Sequence, residues 1–91
     1  MIRLNCFFQA KEGRLAEALE AAKALTAASL KQDGCIAYDV FESATRQGVL
    51  LICETWRDEG ALAAHSASEP FVKSVAVINQ AGTMKIEKFE F

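Results

Sequence analysis

The stretch CETWRDEGALAAHSASEPF, residues 53–71, holds the chain's one tryptophan, one histidine and one proline. Imidazole is the side chain whose unperturbed pKa lies nearest neutrality, so His65 is the candidate general base. Leu50, Ile52, Glu54 and Trp56 alternate through a strand-like run and share one face. Glu54 is therefore a carboxylate on an apolar row, and such a group needs a donor, a watery cavity or a strand end. Beyond it, Ala61, Leu62 and His65 recur at helical spacing, which points His65 the way Leu62 points, towards the sheet. An acid, an imidazole, Trp56, Tyr38 and Phe71 around one apolar pocket suit the binding of a small molecule and the removal of a proton from it. Plainer roles stay open for each residue. His65 also fits a core histidine bonded to a backbone carbonyl at the helix end, Glu54 a dimer or helix-end contact, and the aromatic residues ordinary core packing.

These residues need a scaffold, and the periodicity supplies one. Ile2–Gln9 alternates as a strand. From Arg14 to Lys31 the stripe Leu15, Ala18, Leu19, Ala22, Leu25, Ser29 repeats at helical spacing, and Asp33-Gly34 ends it. Cys35–Glu42 and Val49–Trp56 read as strands joined by the polar hairpin SATRQG. Asp58 is placed to cap a helix running to about Ala67, and Pro70 to occupy the first position of another. That second helix turns Phe71, Val75 and Ile78 inward and ends at Gly82. Thr83–Phe91 is a last strand whose apolar parity changes between Ile86 and Phe89, which predicts a bulge or burial on both faces. The order predicts one α+β domain over residues 1–91: a ferredoxin-like, four-stranded antiparallel sheet with every helix on one face.

Helices cover only one side of such a sheet. The hairpin carries Ile36, Tyr38 and Val40 on one face, with Cys35, Ala37 and Phe41 on the other. The next strand likewise sets Leu50, Ile52 and Trp56 against Val49, Leu51 and Cys53. A second copy of the sheet is the simplest cover for the open apolar face, so a homodimer is expected.

Composition narrows the partners. The chain has 91 residues, 52% of them hydrophobic and 24% charged, with a formal net charge of -2 and no basic block. That argues against a nucleic-acid partner, which needs concentrated cations. No run approaches the roughly 18 apolar residues of a membrane span, and the start lacks a signal-like segment, so a cytoplasmic protein is expected. Cys6, Cys35 and Cys53 each fall in an apolar strand and read as reduced, packed thiols. One histidine and no cysteine pair make a poor zinc set, so no metal is expected.

The run G-C-x-x-Y-x-V at Gly34, Cys35, Tyr38 and Val40, then E-x-W at Glu54 and Trp56, then A-L-x-x-H at Ala61, Leu62 and His65 resembles the antibiotic biosynthesis monooxygenase family. The resemblance covers nearly all of the chain. It implies a dimeric α+β barrel, in agreement with the dimer argued from the strands. The family includes quinol and polyphenol monooxygenases that use neither metal nor flavin, haem-degrading enzymes, and an isomerase of a phosphorylated sugar. Members often carry a second histidine just before the aromatic at Phe71, where this chain has Pro70. The haem-degrading branch relies on an Asn, Trp and His set with its histidine on the later helix, and Phe71–Ala81 has none.

The expectation is therefore a cofactor-free oxygenase for a small aromatic quinol or polyphenol, using dioxygen. His65 would take the proton, Trp56, Tyr38 and Phe71 would pack on the ring, Glu54 would orient the substrate or His65, and Asn5 on the first strand would add a substrate contact. An isomerase or tautomerase using the same base, and a ligand-binding or structural dimer without catalysis, are the alternatives. A phosphorylated sugar would call for clustered cations, and Arg3, Arg46 and Arg57 are dispersed in sequence.

Overall fold

A computed structural model describes all 91 residues, Met1–Phe91. The elements run β1 (Ile2–Ala10), α1 (Leu15–Ser29), β2 (Cys35–Glu42), β3 (Val49–Trp56), α2 (Glu59–Ser66), α3 (Glu69–Ala81) and β4 (Gly82–Glu90). Every pairing is antiparallel and the sheet order is β2-β3-β1-β4. This is the expected α+β, ferredoxin-like sandwich. Alternation decides which side chains meet the helices. Ile2, Cys6 and Phe8 of β1 pack with Leu50, Ile52 and Trp56 of β3 against Ala18, Ala22 and Leu25 of α1 and Ile78 and Ala81 of α3. Alanine at the inward positions lets α1 lie close to its neighbours, while burial of Leu25 alone contributes about 1.5–3 kcal/mol.

The segment between α1 and β2 sets up the site. α1 ends at Ser29, two residues short of the expected Lys31, because the chain tightens into turns: Gln32 N–H donates to Ser29 O at 3.0 Å and Cys35 N–H to Gln32 O at 3.2 Å. Those turns carry Gln32 out of the helix towards α2. Gly34 then takes φ +81°, and a Cβ there would lie 2.4 Å from the Ala61 Cβ, so glycine allows β2 and α2 to meet. Asp58 caps α2 as expected, its carboxylate accepting Ala61 N–H at 2.8 Å. Ser68 caps α3, which places Pro70 at the second helical position behind Glu69 rather than at the first. The ring still costs no hydrogen bond, since N–H groups throughout the first turn lack helical partners.

The last strand departs from expectation. β4 pairs with β1 in unbroken register from Gly82 opposite Ala10 to Glu90 opposite Ile2. It has no bulge, and its parity change places Ile86 and Phe89 on opposite faces, 60% and 48% exposed. The irregularity lies instead in β2, where pairing with β3 shifts between Cys35 and Ala37. The extra residue there, Ile36, is thrown outward to 54% exposure and does not join Tyr38 and Val40 on the covered face.

Candidate active site

β3 delivers Glu54 and Trp56 to the covered face and α2 delivers His65 above them. Trp56 is wholly buried, His65 is 2% exposed and Glu54 4%. The imidazole stacks on the indole with centroids 4.4 Å apart, and meets the Phe71 ring edge-on at 5.1 Å and the Tyr38 ring at 5.6 Å. Five of the six expected site residues thus converge. Asn5 does not. It has the opposite parity in β1 and lies on the other face of the sheet, opposite Cys53 and Glu87.

The hydrogen bonds specify a tautomer. Gln32 Nε2 donates to Ser68 Oγ at 3.1 Å, which leaves Gln32 Oε1 to accept from His65 Nδ1 at 2.7 Å. Ser68 Oγ in turn donates to His65 O at 2.6 Å and accepts Phe71 N–H at 3.4 Å. The basic lone pair of the imidazole therefore sits on Nε2, which is buried and has no partner. Its nearest charged group is Glu54 Oε1 at 3.9 Å, beyond hydrogen-bond reach. A core histidine satisfied by a backbone carbonyl would look different: here the partner is a side chain, and the second nitrogen is left free.

Glu54 is surrounded by donors. Trp56 Nε1–H donates to its Oε1 at 2.9 Å and Cys6 Sγ–H approaches Oε2 at 3.9 Å. Burial pushes the Glu54 carboxyl above the usual carboxylate range, while hydrogen bonds from Trp56, Tyr38 and Cys6 pull it back. Burial pushes the His65 pKa down to about 4, so the ring is neutral near pH 7. Burial and the Glu54 charge raise the Tyr38 phenol, and the same two influences lift the Cys6 thiol to about 12, so both stay protonated as donors.

A cavity of about 180 Å³ lies between the helices and the sheet. Its apolar walls include Ile52, Phe71, Val75 and Ile78, and Glu54 and Tyr38 face it. His65 and Trp56 do not line it. His65 instead borders a separate outer cleft of about 440 Å³ with Gln32, Asp33, Arg57 and Asp58. Glu54 thus stands between the histidine and the first of these pockets, which opens to solvent at Ile86 and Asn79. No three histidine, cysteine, aspartate or glutamate side chains come together as a metal set.

The fold, the E-x-W pair on β3 and the histidine of α2 can now be set beside known proteins. The family description "Antibiotic biosynthesis monooxygenase" matches residues 1–77. The chain belongs to the antibiotic biosynthesis monooxygenase family. YcnE of Bacillus subtilis strain 168, a candidate monooxygenase by name, is 30% identical over 76 residues, 84% of this chain and 80% of its own. Among solved structures, a conserved Bacteroides thetaiotaomicron protein of unknown function, suggested to be an oxidoreductase, is 53% identical. It superposes with a TM-score of 0.96 over 99% of this chain and 96% of its own. A candidate antibiotic biosynthesis monooxygenase of Deinococcus radiodurans is 25% identical, with a TM-score of 0.91 over 100% of this chain and 92% of its own.

Three residues of this site were not read from the sequence. Cys6 was legible in principle, because its parity in β1 matches that of Glu54 in the neighbouring strand. Ser68 carries a helix-start signal, a serine immediately before Glu-Pro. Gln32 carries none. Its role depends on how the α1–β2 turns aim it, which no local pattern encodes.

Proposed function

We propose that this member of the family is a cofactor-independent monooxygenase acting on a small hydroxylated aromatic compound, a quinol or polyphenol. The observation that carries the reading is the buried Glu54 carboxylate, ringed by donors, facing an apolar cavity with the free Nε2 of His65 behind it. Removing a hydroxyl proton makes the ring electron-rich enough to reduce dioxygen by one electron. The two radicals then couple at a ring carbon, and the stored proton returns to the peroxide as it breaks down. One oxygen atom enters the substrate and the other leaves as water, with the substrate as the only reductant. The chain's part is to hold the ring in a dry site, keep the proton on the Glu54–His65 pair, and stabilise the anion with the Tyr38 hydroxyl and Cys6 thiol. Phe71 supplies a face for the ring. Trp56 orients the acid and the imidazole rather than touching substrate.

The working form in this proposal is a homodimer through the uncovered sheet face, where half-exposed Phe41 lies beside half-buried Leu51 and Phe7, and half-exposed Phe89 lies beside Arg3 at the opposite corner. Oxygen uptake with a panel of quinols, in the presence of a chelator and without added flavin, tests the activity. Steady uptake with formation of a hydroxyquinone supports it. No uptake with any quinol, alongside a shift of a carbonyl substrate's double bond, would replace it by isomerisation.

A further inference from the structure

We propose that Glu54 is the group that takes the substrate proton, that the substrate is a single-ring phenol or quinol, and that His65 is a positioning residue acting through Glu54. This rests on the function proposed above and divides the roles within it. The cavity of about 180 Å³ sets the size. A dry protein cavity of about 150 Å³ holds one benzene molecule. This space therefore matches one substituted ring, and a second fused ring would extend to the solvent-facing rim at Ile86 and Asn79.

The walls set the chemistry. Their polar members are Cys6 from β1, Tyr38 from β2, Glu54 from β3 and Asn79 from α3. The thiol and phenol are donors, both held protonated by burial, and the amide does not ionise. Glu54 is left as the one wall group able to accept a proton. α1 presents Leu25 to the cavity and α3 presents Phe71, Val75 and Ile78, so neither helix brings a charge to it. Outside the wall, the titratable groups near the carboxylate are His65 from α2, at 3.9 Å, and Cys35 at the start of β2, whose thiol is held protonated by burial and the Glu54 charge.

The transfer balances simply. The substrate O–H bond breaks, an O–H bond forms on a Glu54 oxygen, and the negative charge passes from carboxylate to phenolate. Net charge in the cavity is unchanged, and the Tyr38 hydroxyl and Cys6 thiol, which face Glu54 while it is ionised, are freed by its protonation to turn to the new anion. His65, fixed by Gln32 through Nδ1, holds the lone pair of Nε2 3.9 Å from the Glu54 carboxyl, and that dipole bears on how readily Glu54 holds the proton.

The probe is 4-nitrocatechol, a single ring whose visible absorption reports its ionisation, titrated with pH against wild type, Glu54→Gln, Glu54→Asp and His65→Asn. Glutamine keeps the shape and accepts the Trp56 N–H, and melting curves check that each variant is folded. Wild type is expected to bind the probe as its anion at pH values where the free probe is neutral. Glu54→Gln is expected to bind it neutral, and to lower quinol turnover by about 10²–10⁴-fold, the usual worth of a positioned proton acceptor. In Glu54→Asp, ionisation persists with a displaced midpoint. In His65→Asn, ionisation also persists, its midpoint moves, and turnover falls about tenfold or less, below the general-base range. A fused-ring nitronaphthol is expected to bind more weakly than 4-nitrocatechol. Retained ionisation in Glu54→Gln, or its loss in His65→Asn alone, overturns the assignment. Equal or tighter binding of the nitronaphthol, or no binding of 4-nitrocatechol, overturns the single-ring assignment. Ionisation of the probe without oxygen uptake on any quinol would remove the oxygenase reading and leave the acceptor in place.

Discussion

On β3, Leu50, Ile52, Glu54 and Trp56 face the helices and all are buried, while the other row has only its ends, Val49 and Thr55, buried, and Leu51 and Cys53 between them half-buried. Both rows belong to one strand and are mostly apolar. On the covered face three helices close over the row and bury a carboxylate, an imidazole and a phenol. On the open face Phe7, Phe41, Leu51 and Phe89 share the surface with Arg3, Asp39, Lys85 and Glu87. Each face also keeps an unpartnered buried polar atom: Nε2 of His65 and Oγ of Ser29 on one, Oδ1 of Asn5 on the other. The difference teaches that apolar content alone does not define a site. The covered face has converging ionisable groups and a bounded cavity, whereas the open face has area.

The largest effect is expected from Trp56→Ala. It removes a wholly buried ring, leaves the Glu54 carboxylate without its closest donor and takes away the surface on which His65 stacks. A loss of about 3–5 kcal/mol is expected in chemical denaturation, enough to unfold a marginal chain. A loss below about 1 kcal/mol would mean that the two faces contribute alike, and the comparison would collapse.

Next comes the pH dependence of stability. The His65 pKa falls from an ordinary 6.5 to about 4 on folding, so the unfolded chain binds more protons between those values. Its contribution to stability is present above about pH 6.5 and is lost as pH falls towards 4, by as much as about 3 kcal/mol. Glu54, raised on folding, works in the opposite sense: its contribution is present below its ordinary pKa of 4.5 and is lost as pH rises through the raised value. Melting of wild type and His65→Asn between pH 7 and 4 isolates the first term. The wild-type decline should be steeper, and equal slopes would show that the imidazole titrates normally.

A smaller effect sharpens the same face. Trp56→Phe keeps an aromatic surface under His65 but deletes the indole N–H that donates to Glu54 Oε1. Losing a donor to a buried charged group costs about 1–3 kcal/mol. It should also raise the Glu54 pKa further, because a hydrogen bond favouring the anion is gone. The acid limb of the turnover profile would then move to higher pH. An unmoved limb, with the stability loss present, would detach the indole from the ionisation of Glu54.

Strand alternation made much of this legible. It placed Glu54 and Trp56 on one face, and helical spacing brought His65 over them, so the cluster was readable before any coordinates. Alternation also separated Asn5 from the cluster by parity, but the family resemblance carried that residue into the candidate set. What stayed hidden depends on three-dimensional detail. The turns after α1 aim Gln32 at His65. The bulge at Ile36 changes which hairpin residues reach the core. The sequence placed Glu54 and His65 side by side, but nothing local shows which of two neighbouring groups borders a cavity.

The open face provides the smallest effect on the single chain and the most direct test of its purpose. Phe41 and Phe89 are each about half exposed, so Phe41→Ser with Phe89→Ser should change the intrinsic stability of one chain by only about 0.5 kcal/mol per site, as surface positions do. If two sheets pack face to face through these rings, the consequence appears in association instead. Wild type should sediment as a dimer at micromolar concentration and melt at a temperature that rises with protein concentration, because assembly stabilises the folded state by mass action. The double variant should sediment as a monomer, lose the concentration dependence and retain the wild-type circular dichroism spectrum. A wild-type protein that sediments as a compact monomer would defeat the dimer. A dimer untouched by the phenylalanine pair would move the interface to another surface, and the open face would then need a different occupant.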